Sequence, residues 1–399
     1  MRKPYIIIGA LILLVTISLF MGSFYEKYFS VPLRIKYKET LIYNEEVPLN
    51  FWRYGMKVRA GSFLALYDKT INEGHSPREA LNFISEGLGD KLLTLADKKS
   101  TSPINAELVV KGEAPYFFYK KDIDGREVNQ SLFAREIAKA LDGGTAELVI
   151  ERKTADVTVD MLRERTQLRA SFSTNFATST LERKSNIKLA MSIINGQVIE
   201  PGEEFSFNKV VGPRKAERGY KEAKIISNGK FIEGVGGGVC QVSTTLYNAA
   251  LMSGLEIKNA IRHSLPVAYV PPSRDAMVSS ANDFVFVNNT DFSLYIFTSC
   301  ADNIAQIMLY GQGLSEKIKL ETKVIKTIPF NNVSLSGQNI CEEELACHKL
   351  IRAGKDGIVS ELYMLSGNIS RRIRVDRYSP QDAVWERIEI SELTLVDAA

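Results

Sequence analysis

Hydrophobic positions fall in one long block at the start of the chain and in short periodic groups after it. Tyr5 to Phe24 is apolar except for Gly9, Thr16, Ser18, Gly22 and Ser23, and no second run of this kind follows. A stretch of about 20 such residues has the length of a membrane-spanning helix, and Arg2 and Lys3 before it favour a cytoplasmic N-terminus. The expectation is a transmembrane anchor over residues 1–25 with the bulk of the chain on the far side. Ser30–Asn50 then reads as an extended stalk or first strand. Ser76-Pro77-Arg78-Glu79 has the form of a capping box with proline at the first helical position. The helix it opens, carrying Ala80, Phe83, Ile84 and Leu88, is predicted to reach about Leu95. Two extended stretches, Ala106–Val110 and Tyr116–Lys120, precede a helix over Ser131–Leu141 and a strand over Ala146–Arg152. The charge-rich segment Val157–Arg169 reads as a helical linker.

A second set of elements follows. Asn186–Asn195 has helical period through Ile187, Ala190, Met191 and Ile194, and Phe284–Asn288 with Ser293–Thr298 reads as a hairpin. Between them lies Gly234–Leu255, without a charge from Glu233 to Glu256. Asn228-Gly229 ahead of it favours a tight hairpin turn. Val242, Leu246, Ala249 and Ala250 after it recur at helical spacing, and Gly254 stands where that helix would end. From Lys317 onward Lys319–Lys326, Ile358–Leu365 and Arg372–Tyr378 alternate as strands of a thin, solvated sheet. The predicted class is multidomain α+β: anchor 1–25, a small α+β module 40–160, an α+β domain 170–312 and an all-β module 317–395.

This order sets Cys240 at the start of a buried helix, behind Gly236, Gly237 and Gly238. Helix N-terminal amides and the macrodipole favour a thiolate, and glycines let backbone approach a ligand. A cysteine in an apolar segment is most often a small buried hydrophobe, but a plain core helix has no need of three glycines at its mouth. His263 is the only histidine of this domain and the natural general base. Asp275 or Asp283 would orient it, although each also suits a turn. The substrate contacts expected around them are the three glycines, Gln241, Ser243, Thr244 and Arg262.

Composition removes other classes. A net charge of +3 with 24% charged residues and no long basic run gives no case for nucleic acid. The four cysteines do not form a disulfide scaffold. Cys341 and Cys347 are close enough in sequence to bridge, and with His348 they lack a further pair of metal ligands, so no metal or cofactor is expected. A Cys240–Cys300 bridge would abolish the proposed nucleophile.

Residues Asn175 to Gly311 resemble the VanW domain. The matching pieces are Asn195-Gly196, Pro201–Asn208, Val211-Gly212-Pro213, Gly219-Tyr220, the string Gly234–Tyr247, His263-Ser264 and Asp275-Ala276. Residues 45–155 are similar to the peptidoglycan-binding domain that often precedes VanW, and the C-terminal part resembles a degenerate G5 module. Ser273 departs from the family, which usually has glycine there. The resemblance implies an L,D-transpeptidase acting on peptidoglycan stem peptides through Cys240, at the outer face of the cytoplasmic membrane. A non-catalytic wall-binding scaffold and a cysteine peptidase of the wall are the alternatives. The flanking modules are expected to govern wall retention rather than chemistry.

Overall fold

The computed structural model describes residues 30–49, 51–111, 115–227 and 230–388. These form two compact units. One runs to residue 107 and resumes over 120–159, and the other comprises 108–119 and the residues from 160 on.

In the first unit Ser30–Tyr37 and Thr40–Pro48 pair antiparallel, and Ala146–Glu147 adds a short parallel edge. Leu33 and Ile35 alternate into the interior and are fully buried. The first extended segment is therefore part of a core, not a stalk. Helices Phe63–Asn72, Pro77–Ile84, Leu88–Asp97 and Gln130–Ala140 share that core. Ser76 and Glu79 form the expected capping box, but the helix stops at Ile84. Ser85 is extended and Gly87 turns left-handed at φ 72°, so a separate helix begins at Leu88.

The fold class stands corrected on one point. The structure is mixed α+β with several small sheets, and no described helix is long and apolar enough to cross a membrane. The longest described helices, Leu181–Ile194 and Val239–Met252, have 14 residues each. At the α-helical rise that is about 21 Å, short of a bilayer core of about 30 Å. Residues 1–25, where a spanning helix was expected, lie outside the described residues.

The second unit is built around the cysteine helix, Val239–Met252. Twelve of its residues are buried, the behaviour of a helix enclosed on every side. Ser253 caps it, and Gly254 follows at φ +71°. On one side lies an antiparallel sheet ordered Gln167–Asn175, Ile304–Gly311, Leu294–Ser299, Val198–Ile199. Its first strand takes up the end of the expected linker, which is helical only over Val159–Glu164. A second sheet joins Glu204–Ser206, Val285–Val287 and Glu256–Asn259, with Phe205 and Phe286 stacked at 5.0 Å between centroids. The expected hairpin over residues 284–298 does not form, because Val285–Val287 and Leu294–Ser299 belong to different sheets. Asn288 makes the corner, donating to the Ile199 and Phe292 carbonyls at 2.8 and 2.9 Å. The hairpin Glu222–Ser227 and Lys230–Val235 leads into the glycine loop.

The C-terminal strands Ile318–Ile328, Gly357–Ser366 and Ile369–Tyr378 form an antiparallel sheet. Most of its residues are exposed or half-buried, as expected, but Ser360, Leu362 and Tyr378 are fully buried, and Leu362 belongs to the same core as the cysteine helix.

Candidate functional site

The glycine loop packs tightly against neighbouring protein, and Gly236 and Gly238 also line a cleft. Gly238 takes φ 108° and caps the cysteine helix, and a Cβ there would stand 3.0 Å from Arg183 and Ile187 on the helix Leu181–Ile194. At Gly237 a Cβ would come within 2.7 Å of the Ala223 carbonyl oxygen and 2.8 Å of that of Lys224. Asn186, fully buried on the neighbouring helix, fixes the loop by donating to the carbonyls of Lys221 and Gly237 at 2.8 and 3.0 Å. Gly237→Ala should therefore lower stability by about 1–3 kcal/mol, the cost of forcing extra volume into packed backbone. An unchanged denaturation midpoint would mean the loop is free to lift from the hairpin.

The loop presents Cys240 in the first turn of the helix, half-buried and unbridged. It borders a cleft of about 1400 Å³ that His263, Tyr269, Arg183 and Arg214 also line. In the thiol form its Sγ donates to the Val278 carbonyl at 3.2 Å. The His263 imidazole faces the same cleft and acts on the charge of that sulfur. His263 meets Asp275 because their two segments run antiparallel through the bridge Ile261–Met277, where the Met277 amide donates to the Ile261 carbonyl at 2.6 Å. Two residues further along each segment, the His263 Nδ1 lies 2.7 Å from Asp275 Oδ2, and the His263 amide donates to the same oxygen at 2.6 Å. His263 is 4% exposed and Asp275 1%.

The electrostatics follow from this burial and pairing. Burial by itself lowers the imidazole pKa, but donation to the Asp275 carboxylate and interaction with the Cys240 sulfur outweigh it and push His263 up to about 9. Burial would raise the Cys240 thiol. His263, with Arg214 behind it, carries it below its ordinary value instead. Both shifts favour the thiolate–imidazolium form of the pair. Asp275 is held below the usual carboxylate range: burial opposes ionisation, and His263 and Tyr378 more than offset it. At Cys300, by contrast, burial raises the thiol. Iodoacetamide at about pH 7 should thus label Cys240 ahead of Cys300, as read by peptide mass spectrometry. Equal, slow labelling would mark Cys240 as structural.

The other expected residues do different work. Asp283 has other partners than the imidazole: it accepts from the Ser206 hydroxyl at 2.5 Å and the Asn208 amide at 2.8 Å. The amide of Gln241 donates to the Gly238 carbonyl at 3.0 Å, and its buried side chain ties Arg183 to Thr174 and Asn175. Ser243 donates to the Ala276 carbonyl at 2.7 Å, and Thr244 accepts from the Ala276 amide at 3.0 Å. These polar residues clamp the Asp275 segment to the helix, and Ser243 and Thr244 do not line the cleft. Gly237 is likewise absent from its lining. Arg262 lies over the Tyr378 ring at 5.4 Å, away from the cleft.

Sequence reasoning missed the contribution of the C-terminal sheet. The Tyr378 hydroxyl donates to Asp275 Oδ1 at 2.5 Å and accepts from the Ser273 amide at 2.7 Å. Ser273 takes φ 65°, a left-handed conformation that glycine adopts most easily, and its hydroxyl meets that of Ser360 at 2.7 Å. Tyr269 was missed too. Burial and the nearby Cys240 charge raise its phenol well above the ordinary value, so it remains a hydrogen-bond donor facing the cleft. No local pattern announces either tyrosine. Cys341 and Cys347 are free and exposed, and no cluster of three or more potential metal ligands occurs among the described residues.

Comparison with known proteins bears on the same segment. The family model described as VanW like protein matches residues 182–310, which hold Cys240, His263 and Asp275. The uncharacterized protein YoaR of Bacillus subtilis is 34% identical over 245 residues, covering 59% of this chain and 78% of YoaR. The chain belongs to the VanW-like family. The Vancomycin B-type resistance protein VanW of Enterococcus faecalis is 32% identical over 138 residues, covering 33% of this chain and 49% of that relative. Tyr378 lies beyond the residues matched by the VanW-like family model, so that model does not include the outermost partner of Asp275.

Proposed function

We propose that the protein is an L,D-transpeptidase-like acyltransferase of the cell wall, working through a Cys240 thioester outside the cytoplasm. The observation that carries this reading is Cys240 and His263 lining one cleft able to hold a peptide, with Asp275 hydrogen-bonded to the imidazole behind them. The resistance function in the name of the Enterococcus faecalis relative supports the wall as the setting.

In the proposed reaction the Cys240 thiolate attacks the carbonyl carbon of the third stem residue. The bond to the terminal D-Ala breaks, and the His263 imidazolium gives its proton to the departing amine. The amine of a second stem then attacks the thioester, returns a proton to His263 and releases the thiolate, leaving a 3-3 cross-link. Asp275 holds Nδ1 throughout, so the other ring nitrogen serves the chemistry. With the Gln241 amide already engaged by Gly238, the oxyanion donors proposed are the Cys240 amide and the Tyr269 hydroxyl. Turnover should fall above about pH 9, where His263 loses the proton it must deliver.

Incubating the full chain with disaccharide-tetrapeptide, followed by mass spectrometry, tests the reading. A cross-linked dimer is expected. A tripeptide would mean water is the acceptor and the protein a cysteine peptidase. Unchanged substrate, with Cys240 demonstrably reactive, would favour a wall-binding scaffold.

A further inference from the structure

Two arginines line the cleft beside Cys240 without a carboxylate partner. Arg183 donates to the Ser179 hydroxyl at 2.7 Å and to Gln241 Oε1 at 2.9 Å, and Arg214 donates to Asn208 Oδ1 at 2.6 Å. All three acceptors are neutral. Neither guanidinium forms an ion pair among the described residues. Asp283 acts on Arg214 only from a distance, its oxygens being taken by Ser206 and Asn208. Both arginines are partly buried, and both keep their charge, since a guanidinium does not deprotonate in proteins. Glu182, Glu222 and Glu233 border the same cleft, but they are exposed, where water and salt screen them. The Cys240 thiolate acts on both by charge but forms no ion pair with either; partly buried cations hydrogen-bonded only to neutral acceptors are stabilised when an anion joins them, and a planar guanidinium matches a carboxylate through paired hydrogen bonds.

We infer that Arg183 and Arg214 form an anion subsite beside Cys240 that takes a carboxylate of the acyl-donor peptide. The cleft then selects donors with a free carboxylate over amidated ones. The identity of the donor rests on the cell-wall reading above; the charge selectivity does not.

Two alkylating reagents isolate that selectivity. Iodoacetate and iodoacetamide both react by thiolate displacement of iodide, forming a sulfur–carbon bond, and they differ in charge. The rate ratio of iodoacetate to iodoacetamide at Cys240, followed on the peptide that carries it, should exceed that of N-acetylcysteine by about tenfold or more at low salt. It should decline as salt is added, collapse in Arg214→Met and Arg183→Met, and survive largely in Arg214→Lys. Because Arg183 also supports Gln241, the Arg214 pair and the salt series decide the matter if Arg183→Met does not fold. A wild-type ratio equal to that of N-acetylcysteine, or one unmoved by Arg214→Met, overturns the subsite. The stem tetrapeptide and its C-terminal amide separate the two readings. Equal turnover of both retains the activity and overturns the selectivity. The expected alkylation ratios with no turnover of either peptide retain the subsite and overturn the cell-wall assignment.

Discussion

Asp275→Asn should cost Cys240 most of its reactivity near neutral pH, lowering the iodoacetamide rate at pH 7 by about 10²-fold or more, in line with contributions from general acid–base partners. The substitution keeps the side chain's size but removes the charge that offsets the cost of burying the imidazolium. His263 lies 2.7 Å from Asp275 and owes much of its pKa of about 9 to that contact. Without the carboxylate, burial dominates and the imidazole is neutral at pH 7. The thiol then loses the cation that holds it below its ordinary value. The alkylation profile should shift upward as a whole, with the rate recovering in strong alkali. A stability signature accompanies it. His263 is raised, so its contribution is complete below the unfolded imidazole value of about 6.5 and disappears as pH rises through about 9. Asp275 is depressed, so its contribution is present above about pH 4 and disappears as pH falls through the folded value below that. The difference in melting temperature between wild type and variant should be widest between those limits. An unaltered pH profile for alkylation would remove the Asp275–His263 pair from thiol activation.

Deleting the chain beyond Gly313 should abolish Cys240 reactivity and leave a fragment without cooperative unfolding. This reverses the expectation that the C-terminal module is accessory. Its strands bury Leu362 in the central core and hold the Asp275 segment. Thr322 donates to the Pro272 carbonyl at 2.9 Å, Ser360 meets Ser273, and Tyr378 donates to Asp275. Tyr378→Phe isolates the last contact. A hydrogen bond to a buried charge contributes about 1.5–3 kcal/mol, so alkylation at neutral pH should slow by roughly ten- to hundredfold. Because the phenol favours the ionised carboxylate, its loss should also raise the acid limb of the profile, where Asp275 takes a proton. A purely structural role would lower the melting temperature without moving that limb. A truncated chain that labels Cys240 at the wild-type rate would return the sheet to accessory status.

The sequence by itself determined what neighbouring residues enforce. The capping box at Ser76, the glycine loop, the helix that follows it and the alternating strands after Lys317 all depend on contacts within a few positions. Their residue types specify them with little help from elsewhere. Cys240 and His263 stood out for the same reason, as reactive side chains in unusual local company. Local pattern could not choose between Asp275 and Asp283, since both are aspartates in turn-like segments. The antiparallel bridge between Ile261 and Met277 decided it, bringing together residues 12 apart in the chain. Nor could it reveal that Ser243 and Thr244 hold the Asp275 segment instead of substrate, because a polar residue on a helix looks the same whether it faces a ligand or a backbone carbonyl. Tyr378 was the least legible. It reaches Asp275 across 103 residues, and its hydroxyl acquires a role only when a separate sheet packs against the domain and excludes water from that carboxylate.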